Sequence, residues 1–455
     1  MSSTTHTAAR TVLISGASVA GPALALWLHR YGFAPTVVER APELRTGGYK
    51  VDIRGTAIEV CRRMGVLDEI RAKSTDMRGG SYVDDAGRTI GELPADIFGG
   101  RVEEDDEIMR GDLARILYDR TRDDVEYLFD DSIAELDEYT EGGGGVTVTF
   151  DSGTVRRFDL VVGADGLHSN TRRLVFGEEE RFKRHLGAYI SIFTAPNHLG
   201  LDRWETYHAL PKKLLCVYSS SGETDAKNLF IFSAPEDVPY DLRNVTDQKR
   251  LLADTFAGDG WEVPRLLGHA ADADDFYLDS MSLVEMDRWS RGRVVLLGDA
   301  AHCSSPASGQ GTGLALTGAY VLAGELARAG GDHTVAFARY EERMRPGVEQ
   351  NQKMAEGFVK EMTVGSKWKI ALRMLMVRTL PKTPWKNLIA KKIRDGIQSA
   401  ANAVPIEDYA TPTATPNAAT ATPTTTPNAP TPTPNASPIT TPVTGEGTPR
   451  PTVTA

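Results

Sequence analysis

The sequence predicts an α/β protein: a Rossmann-like nucleotide-binding domain, an antiparallel-sheet domain interleaved with it, and C-terminal helices. Three observations predict it. "TVLIS" (11–15), "GASVAGPALALWLHRYG" (16–32) and "PTVVER" (35–40) read as strand, helix and strand, and strands joined through a helix must lie parallel. Between about 180 and 287 the pattern changes to short antiparallel-strand segments. "RVVLLGDAAH" (293–302) then returns to a buried strand followed by long helical patterns, so the first domain resumes after an interruption.

The other elements follow in chain order. "AIEVCRRMGVLDEIRAK" (57–73) and "GDLARILYDRTRD" (111–123) read as helices. "VEYLF", "IAELDEYTEGGGGVTVTFDSG" and "VRRFDLVVGADG" read as strands, with Gly142–Gly145 at a hairpin tip. "GAYISIFTA", "ETYHALP", "KLLCVYSSS" and "NLFIFSAP" predict a sheet that forms one wall of a pocket. Helices are expected over about 313–329, 335–362 and 367–402, the last broken near Pro381 and Pro384. The expected division is a flexible stretch 1–10, a nucleotide-binding domain built from 11–179 and 288–365, a sheet domain 180–287, and helices 366–407. An insertion near 76–100 is a candidate addition to the sheet domain. Residues 408–455, mostly Thr, Pro, Ala and Asn, bury too little apolar surface to offset their ordering entropy and are expected to be disordered.

Composition narrows the function. Of 455 residues, 41% are hydrophobic and 25% charged, which is globular. The net charge of −11 argues against nucleic acid, whose phosphates need clustered Lys and Arg. Cys61, Cys216 and Cys303 are the only cysteines and no C-x-x-C occurs, which argues against a zinc ribbon or disulfide scaffold and fits a reducing cytoplasm. No signal peptide and no membrane span is expected.

"SGASVAGPA" (15–23) is a variant of the dinucleotide fingerprint G-x-G-x-x-G. Gly16 permits the strand-to-helix turn, Ser18 replaces the middle glycine, and Gly21 allows close helix packing. N–H groups and the dipole at the helix start favour a diphosphate. Glu39 ends the second strand, where a ribose-binding acid belongs. A carboxylate there accepts from a free 2′-hydroxyl and repels a 2′-phosphate, so the site should hold FAD or NAD. No second glycine fingerprint follows, so a visiting nicotinamide nucleotide has no Rossmann domain of its own. The plainer alternative is a tight turn in an unliganded β-α-β unit.

"VVLLGDAAHCSSPASGQGTGLAL" (294–316) gathers an acid, a histidine, a thiol and hydroxyls. A serine elbow needs G-x-S-x-G, and Pro306 stands where its first glycine belongs. Asp299 and His302 are too few for a metal, and the segment is too short for a helix to be assumed. The backbone offers a better reading. Asp299, at the carboxyl end of a strand, can accept hydrogen bonds from a polyol. The helix start near Gly311–Gly313 offers N–H groups and positive dipole to a developing anion such as a reduced flavin. Gly309, Gly311 and Gly313 let a flat ring lie against the chain.

Three motifs in this order resemble those of the single-component FAD-dependent aromatic hydroxylases, the p-hydroxybenzoate hydroxylase-like family. They are "GASVAGPALA" with Glu39 and Arg40, "DLVVGADGLHSNTR" (159–172) and "GDAAHCSSPASGQG" (298–311). The resemblance spans about Thr11 to Asn351, and "GGYKVDIRG" and "IMRGDLARIL" look most like its tetracycline-inactivating and polyketide monooxygenase branch. It implies that Gly16, Ser18 and Gly21 cradle FAD, with Glu39 and Arg40 at the adenosine ribose. Arg110 and, more weakly, Asp52 would contact FAD, and Asp299 the ribityl chain. Asp165 and Gly166, supported by Arg172, would hold FAD and the visiting NADH or NADPH. Pro306 and Gly309 to Gly311 would border the ring, with Thr312 and Gly313 at the helix start. The family often carries Asn and a carboxylate near the positions of Gly313 and Gly318 here, so flavin contact there falls to the backbone.

The resemblance also implies a reaction. NAD(P)H reduces FAD, O₂ forms a flavin C4a-hydroperoxide, and its distal oxygen passes to an aromatic or polyketide-like small molecule. FAD is then held non-covalently, no metal is used, and a cytoplasmic monomer or weak homodimer is expected. The alternatives are an FAD dehydrogenase or reductase without oxygen insertion, and a non-catalytic flavin-binding protein. Plainer roles stand beside each residue: surface ion pairs for Arg40, Arg110 and Arg172, helix capping for Asp299, structural packing for His302, inert packing thiols for Cys61 and Cys303. Phe193, Tyr207, Tyr218, Phe230 and Phe232 are first a sheet core, with one or two as pocket candidates. The basic segment 367–395 is expected to pack an apolar face on the body, an anionic membrane surface being the alternative.

Overall fold

Strand β1 (Thr11–Ser15) is buried on both faces beyond its first residue, which suits the interior of a covered parallel sheet. The computed structural model describes residues 10–45, 47–98, 102–236, 238–241 and 243–409. From β1 the chain runs through α1 (Ala20–Arg30), β2 (Ala34–Glu39), β3 (Lys50–Ile53), α2 (Thr56–Met64), α3 (Leu67–Ala72), β4 (Gly79–Val83), β5 (Thr89–Pro94), α4 (Ala95–Phe98), β6 (Asp106–Met109), α5 (Arg110–Asp119) and β7 (Glu126–Phe129). Strands β8 (Ile133–Tyr139), β9 (Gly145–Phe150), β10 (Val155–Phe158) and β11 (Leu160–Gly163) lead to α6 (Asn170–Phe176). The middle holds β12 (Lys183–Pro196), β13 (Trp204–Leu210), β14 (Lys213–Ser219), β15 (Asp225–Ser233), α7 (Val245–Phe256), α8 (Val263–Asp272) and β16 (Tyr277–Val284). The last part holds β17 (Ser290–Arg291), β18 (Val294–Leu296), α9 (Asp299–His302), α10 (Gly311–Arg328), α11 (His333–Met362), α12 (Lys367–Thr379) and α13 (Lys386–Ala401).

The first sheet has the order β17-β18-β11-β1-β2-β7, parallel except for the β17 edge. Side chains alternate across it. Val12 and Ile14 pack with Leu24 and Trp27 of α1 and Leu316 and Tyr320 of α10. Leu13, Val38 and Val161 face the antiparallel layer β10-β9-β8. Helix α10 is buried along nearly its whole length, as an all-round apolar helix must be. The second sheet has the order β16-β12-β15-β14-β13-β4-β5. Its β4–β13 pairing is parallel and the others antiparallel, so Gly79–Val83 and Thr89–Pro94, within the insertion expected near 76–100, are part of this sheet.

Several expectations are corrected. The helix expected over 57–73 is two helices, because Gly65 takes the left-handed conformation (φ 76°) and ends α2. The region 180–287, read as sheet, also contains α7 and α8. Asn244 caps α7 by accepting from the Thr246 N–H, and Pro264 opens α8. The ordered chain passes the expected boundary at 408: Tyr409 is buried, lies against Gly324 and donates from its hydroxyl to Glu325 Oε1 at 2.8 Å. The remainder of the expected disordered tail, and residues 1–9 of the expected flexible start, lie outside the described residues.

Two glycines make opposite predictions. A Cβ on Gly21 would lie 1.9 Å from the Gly16 carbonyl oxygen, so Gly21→Ala is expected to destabilise by about 1–3 kcal/mol or more. Gly268, exposed inside α8, has no neighbour within 4 Å of such a Cβ, so Gly268→Ala is expected to stabilise by about 0.5–1 kcal/mol. Denaturant unfolding of both variants checks the pair; a tolerated Gly21→Ala contradicts this packing.

Candidate active site

Backbone pairing sets Ser15 beside Val38 and Gly163, and Gly163 beside Leu296. The loops after β1, β11 and β18 therefore leave one edge of the sheet together. They open into one cavity of about 610 Å³, at the carboxyl ends of the strands, where open α/β sheets bind ligands.

The turn after β1 is shaped by close approach. Gly16 has φ +109°, and a Cβ there would lie 2.5 Å from the Ala164 carbonyl oxygen. Its N–H donates to Val38 O at 2.7 Å. The Ala17 and Ala41 N–H groups donate to the two oxygens of Glu39 at 2.9 and 3.0 Å, so Glu39 straps the turn to the end of β2. Helix α1 begins with no side-chain cap and no acid in its first turn, and so does α10. Ser18, Val19 and Ala20 leading into the first and Gly311 and Thr312 opening the second face the cavity. Their N–H groups and positive helix ends give it two places for negative charge. Arg110 adds a cation, donating to Ser18 Oγ at 3.0 Å and to Gly47 O at 2.8 Å.

Asp299 opens α9 and reaches the cavity, accessible from it yet walled by protein. Burial raises its carboxyl above the usual range; a hydrogen bond with Cys303 opposes this, and nearby Asp279 adds to it. Burial also pushes up the Tyr49 hydroxyl and the Cys303 thiol, each reinforced by Asp299. His302, three residues on, turns into the core against Trp289, with ring centroids 4.6 Å apart. Burial pushes it down to about 4, so it stays neutral. Asp299 and His302 thus share a helical turn without sharing a site.

The loop after β11 is braced internally. Asp165 accepts from the Ser169 hydroxyl and from the Thr171 N–H and hydroxyl, the latter two at 2.8 and 2.9 Å. Arg172, read as a possible surface ion-pair partner, is fully buried. It donates to Ala300 O at 3.0 Å and Leu167 O at 2.7 Å, tying this loop to α9. His168 lies between Glu179 and Asp279, at 2.9 and 3.0 Å. Those two hydrogen bonds raise it to about 9 despite partial burial.

The second sheet supplies the opposite wall. Leu214, Cys216 and Tyr218 of β14 and Leu229 and Ile231 of β15 face the cavity. Their alternates Leu215, Val217, Phe230 and Phe232 pack beneath α7 and α8 with Phe193. Of the five aromatic candidates, then, Tyr207 and Tyr218 line the cavity and the three phenylalanines form core. A polar cluster lines the cavity where this wall meets the antiparallel pair β3–β6. Lys50 Nζ lies 3.0 Å from Glu107 Oε2 and also contacts Glu205, which accepts from the Tyr207 hydroxyl.

Of the residues expected at the site, Ser18, Asp52, Arg110, Gly166, Asp299, Pro306, Gly309, Gly311 and Thr312 line the cavity. Gly16, Gly21, Glu39 and Asp165 shape its loops from behind, and Arg40 is exposed and outside the cavity lining. Gly313 of α10, expected beside a ring, has α2 as its neighbour, where a Cβ would lie 3.5 Å from Ala57 Cβ. Cys303, expected to be a packing thiol, lines the cavity, as do Tyr49, Lys50, Glu107, Glu205 and Cys216. The alternation of Lys50 and Asp52 with apolar Val51 and Ile53 was the available signal for the Lys50 face.

A family model described as "FAD binding domain" matches residues 9–354. An uncharacterized protein of Mycobacterium tuberculosis is 48% identical over 345 residues, 75% of this chain and 92% of that one. A flavin-dependent monooxygenase of an unknown prokaryotic organism is 44% identical over 341 residues, 75% of this chain and 87% of that one. The crystal structure of tetracycline destructase Tet(51) matches with a TM-score of 0.77 and 37% identity, covering 88% of this chain and 100% of that one.

The His168 bridge carries a pH signature. Its folded value of about 9 lies above the ordinary 6.5, so its stabilisation is complete below about pH 6.5 and is lost as pH rises through about 9. His168→Gln is expected to lower Tm at pH 6 and to match the parent above pH 9. A Tm difference that does not change across this range contradicts the charged bridge.

Proposed function

The chain belongs to the FAD-binding-domain family of flavin-dependent monooxygenases, and on that premise we propose that it uses NAD(P)H and O₂ to hydroxylate an aromatic or polyketide-like small molecule. One oxygen atom of O₂ enters a substrate C–H bond, the other leaves as water, and NAD(P)H supplies the two electrons. Bound FAD supplies this redox chemistry; the residues supply binding, orientation and charge.

Backbone N–H groups at the start of α1 receive the diphosphate, with Arg110 balancing its charge. Glu39 keeps lone pairs beyond its two backbone bonds for the adenosine ribose, with Arg40 beside it. Asp299 accepts from ribityl hydroxyls. Pro306, Gly309, Gly311 and Thr312 border the ring, where the start of α10 stabilises negative charge. Gly166, on a loop held by Asp165 and Arg172, would border both nucleotides. Asp52, paired with Arg54 at 3.0 Å, edges the same cradle.

The observation that carries this reading is the meeting of three sequence-distant loops at one cavity, faced by an apolar sheet wall. A volume of about 610 Å³ lies in the range of small-molecule and cofactor sites. The likeness to a tetracycline destructase supports a fused-ring substrate.

Phenolic and polycyclic compounds are expected to stimulate NAD(P)H oxidation by the FAD-loaded protein and to gain one oxygen from isotopically labelled O₂. Stimulated oxidation without that gain would indicate a reductase instead. Asp299→Ala is expected to weaken FAD binding on the order of tenfold or more, the worth of a hydrogen bond to a charged group. Gly311→Ala is expected to weaken FAD binding while keeping Tm, because its methyl would meet nothing closer than Asp299 Oδ1 at 3.7 Å. Unchanged FAD titrations for both variants would place the flavin elsewhere.

A further inference from the structure

The basic segment after α11 is only partly absorbed by the site. Arg373 of α12 and Ile393 and Ile397 of α13 reach the cavity wall. Val377 and Ala390 are buried against Leu93 and Ile97. A second apolar face remains outside, so the expected packing on the body is half realised. Trp368, Leu372, Leu375 and Met376 recur along α12 at the spacing of one helix face, and each is about half exposed or more. Trp385 and Leu388, at the start of α13, are 68% and 69% exposed. Large apolar side chains grouped in this way mark an interaction surface.

Charge identifies what it meets. Residues 367–401 contain nine Lys or Arg and a single acid, Asp395, in a chain of net charge −11. Lys367, Lys369 and Arg378 flank the α12 face, Lys382 follows in the turn between the helices, and Lys386, Lys391 and Lys392 continue along α13. We propose that α12 and α13 form a peripheral docking platform for an anionic lipid bilayer. The exposed Trp, Leu and Met side chains enter the headgroup–acyl boundary, and the lysines bind lipid phosphates. Tryptophan suits that boundary. A second copy of this chain fits less well, because a two-fold contact would set cation against cation. No described helix is long and apolar enough to cross a membrane, so the contact is one of surface seating. Since the same two helices wall the cavity, docking sets it beside a reservoir of apolar compounds.

The full-length, FAD-loaded protein is mixed with sucrose-loaded vesicles of phosphatidylcholine, alone or with phosphatidylglycerol, and sedimented. Binding to the anionic vesicles is expected to be at least about tenfold tighter and to weaken as salt is raised. A Trp385→Ser/Leu388→Ser double variant and a Lys386→Glu/Lys391→Glu/Lys392→Glu triple variant alter exposed positions only. Both are expected to take up FAD normally; the first loses vesicle binding and the second loses the anionic preference. Absent binding, equal binding to both vesicle types, or binding unaffected by either variant overturns the proposal. A concentration-dependent dimer that the double variant abolishes, without vesicle binding, assigns the face to a second copy and overturns it too. No turnover is measured, so failure here is distinct from failure of the hydroxylase reading.

Discussion

Strands β1, β11 and β18 share a parallel hydrogen-bond register in which Ser15, Gly163 and Leu296 lie side by side. The chain must therefore leave the sheet at three adjacent points on one edge, and the three loops must face one another. What they place there follows from backbone sterics. Gly16 and Gly21 remove the atoms that would hold α1 away from the turn, so α1 begins close to the strand ends. Helix α10 begins nearby, also without a side-chain cap. Two positive helix ends facing one cavity attract a ligand with two centres of negative charge. An FAD nucleotide has a diphosphate and, when reduced, a ring that carries charge.

Much of this was readable from sequence because it is local. A strand buried on both faces is a run of apolar residues, a left-handed turn asks for glycine, and a helix packed that closely asks for another five residues later. Distinctions that depend on tertiary placement were not readable. Both faces of the second sheet are covered, so alternation separates Tyr218 from Phe230 and Phe232 without saying which set meets the cavity. Glu39, Asp165 and Arg172 carry the charge expected of ligand-binding residues. In the folded chain much of that capacity bonds to loop backbone or helix ends. An acid next to a tight turn is equally near the turn's own N–H groups and any ligand, and sequence spacing is the same in either case. One step along a helix rotates a side chain away from its neighbour's surface, so Thr312 meets the cavity while a Cβ on Gly313 would meet α2.

The two sides of the cavity divide the work by polarity. Helix ends, Arg110 and Asp299 gather on the side of the first sheet, where a charged nucleotide finds fixed partners. The wall from the second sheet is mostly aliphatic, and its Glu205 meets Lys50 of β3, which also pairs with Glu107 of β6. Burial keeps Cys303 and Tyr49 protonated and His302 neutral in the core, so the stretch after β18 provides a cradle and no activated side-chain nucleophile. The outward face of α12 and α13 reverses the acidic character of the chain, as a surface with its own partner does.

Dipoles at two helix starts are inferred to hold the flavin nucleotide in this cavity. Electron density for FAD in crystals of the loaded protein tests this most directly. The diphosphate is expected against the N–H groups at the start of α1 and the ring against Gly309–Thr312. Density for FAD bound away from either helix start, with those N–H groups facing only water, would contradict it.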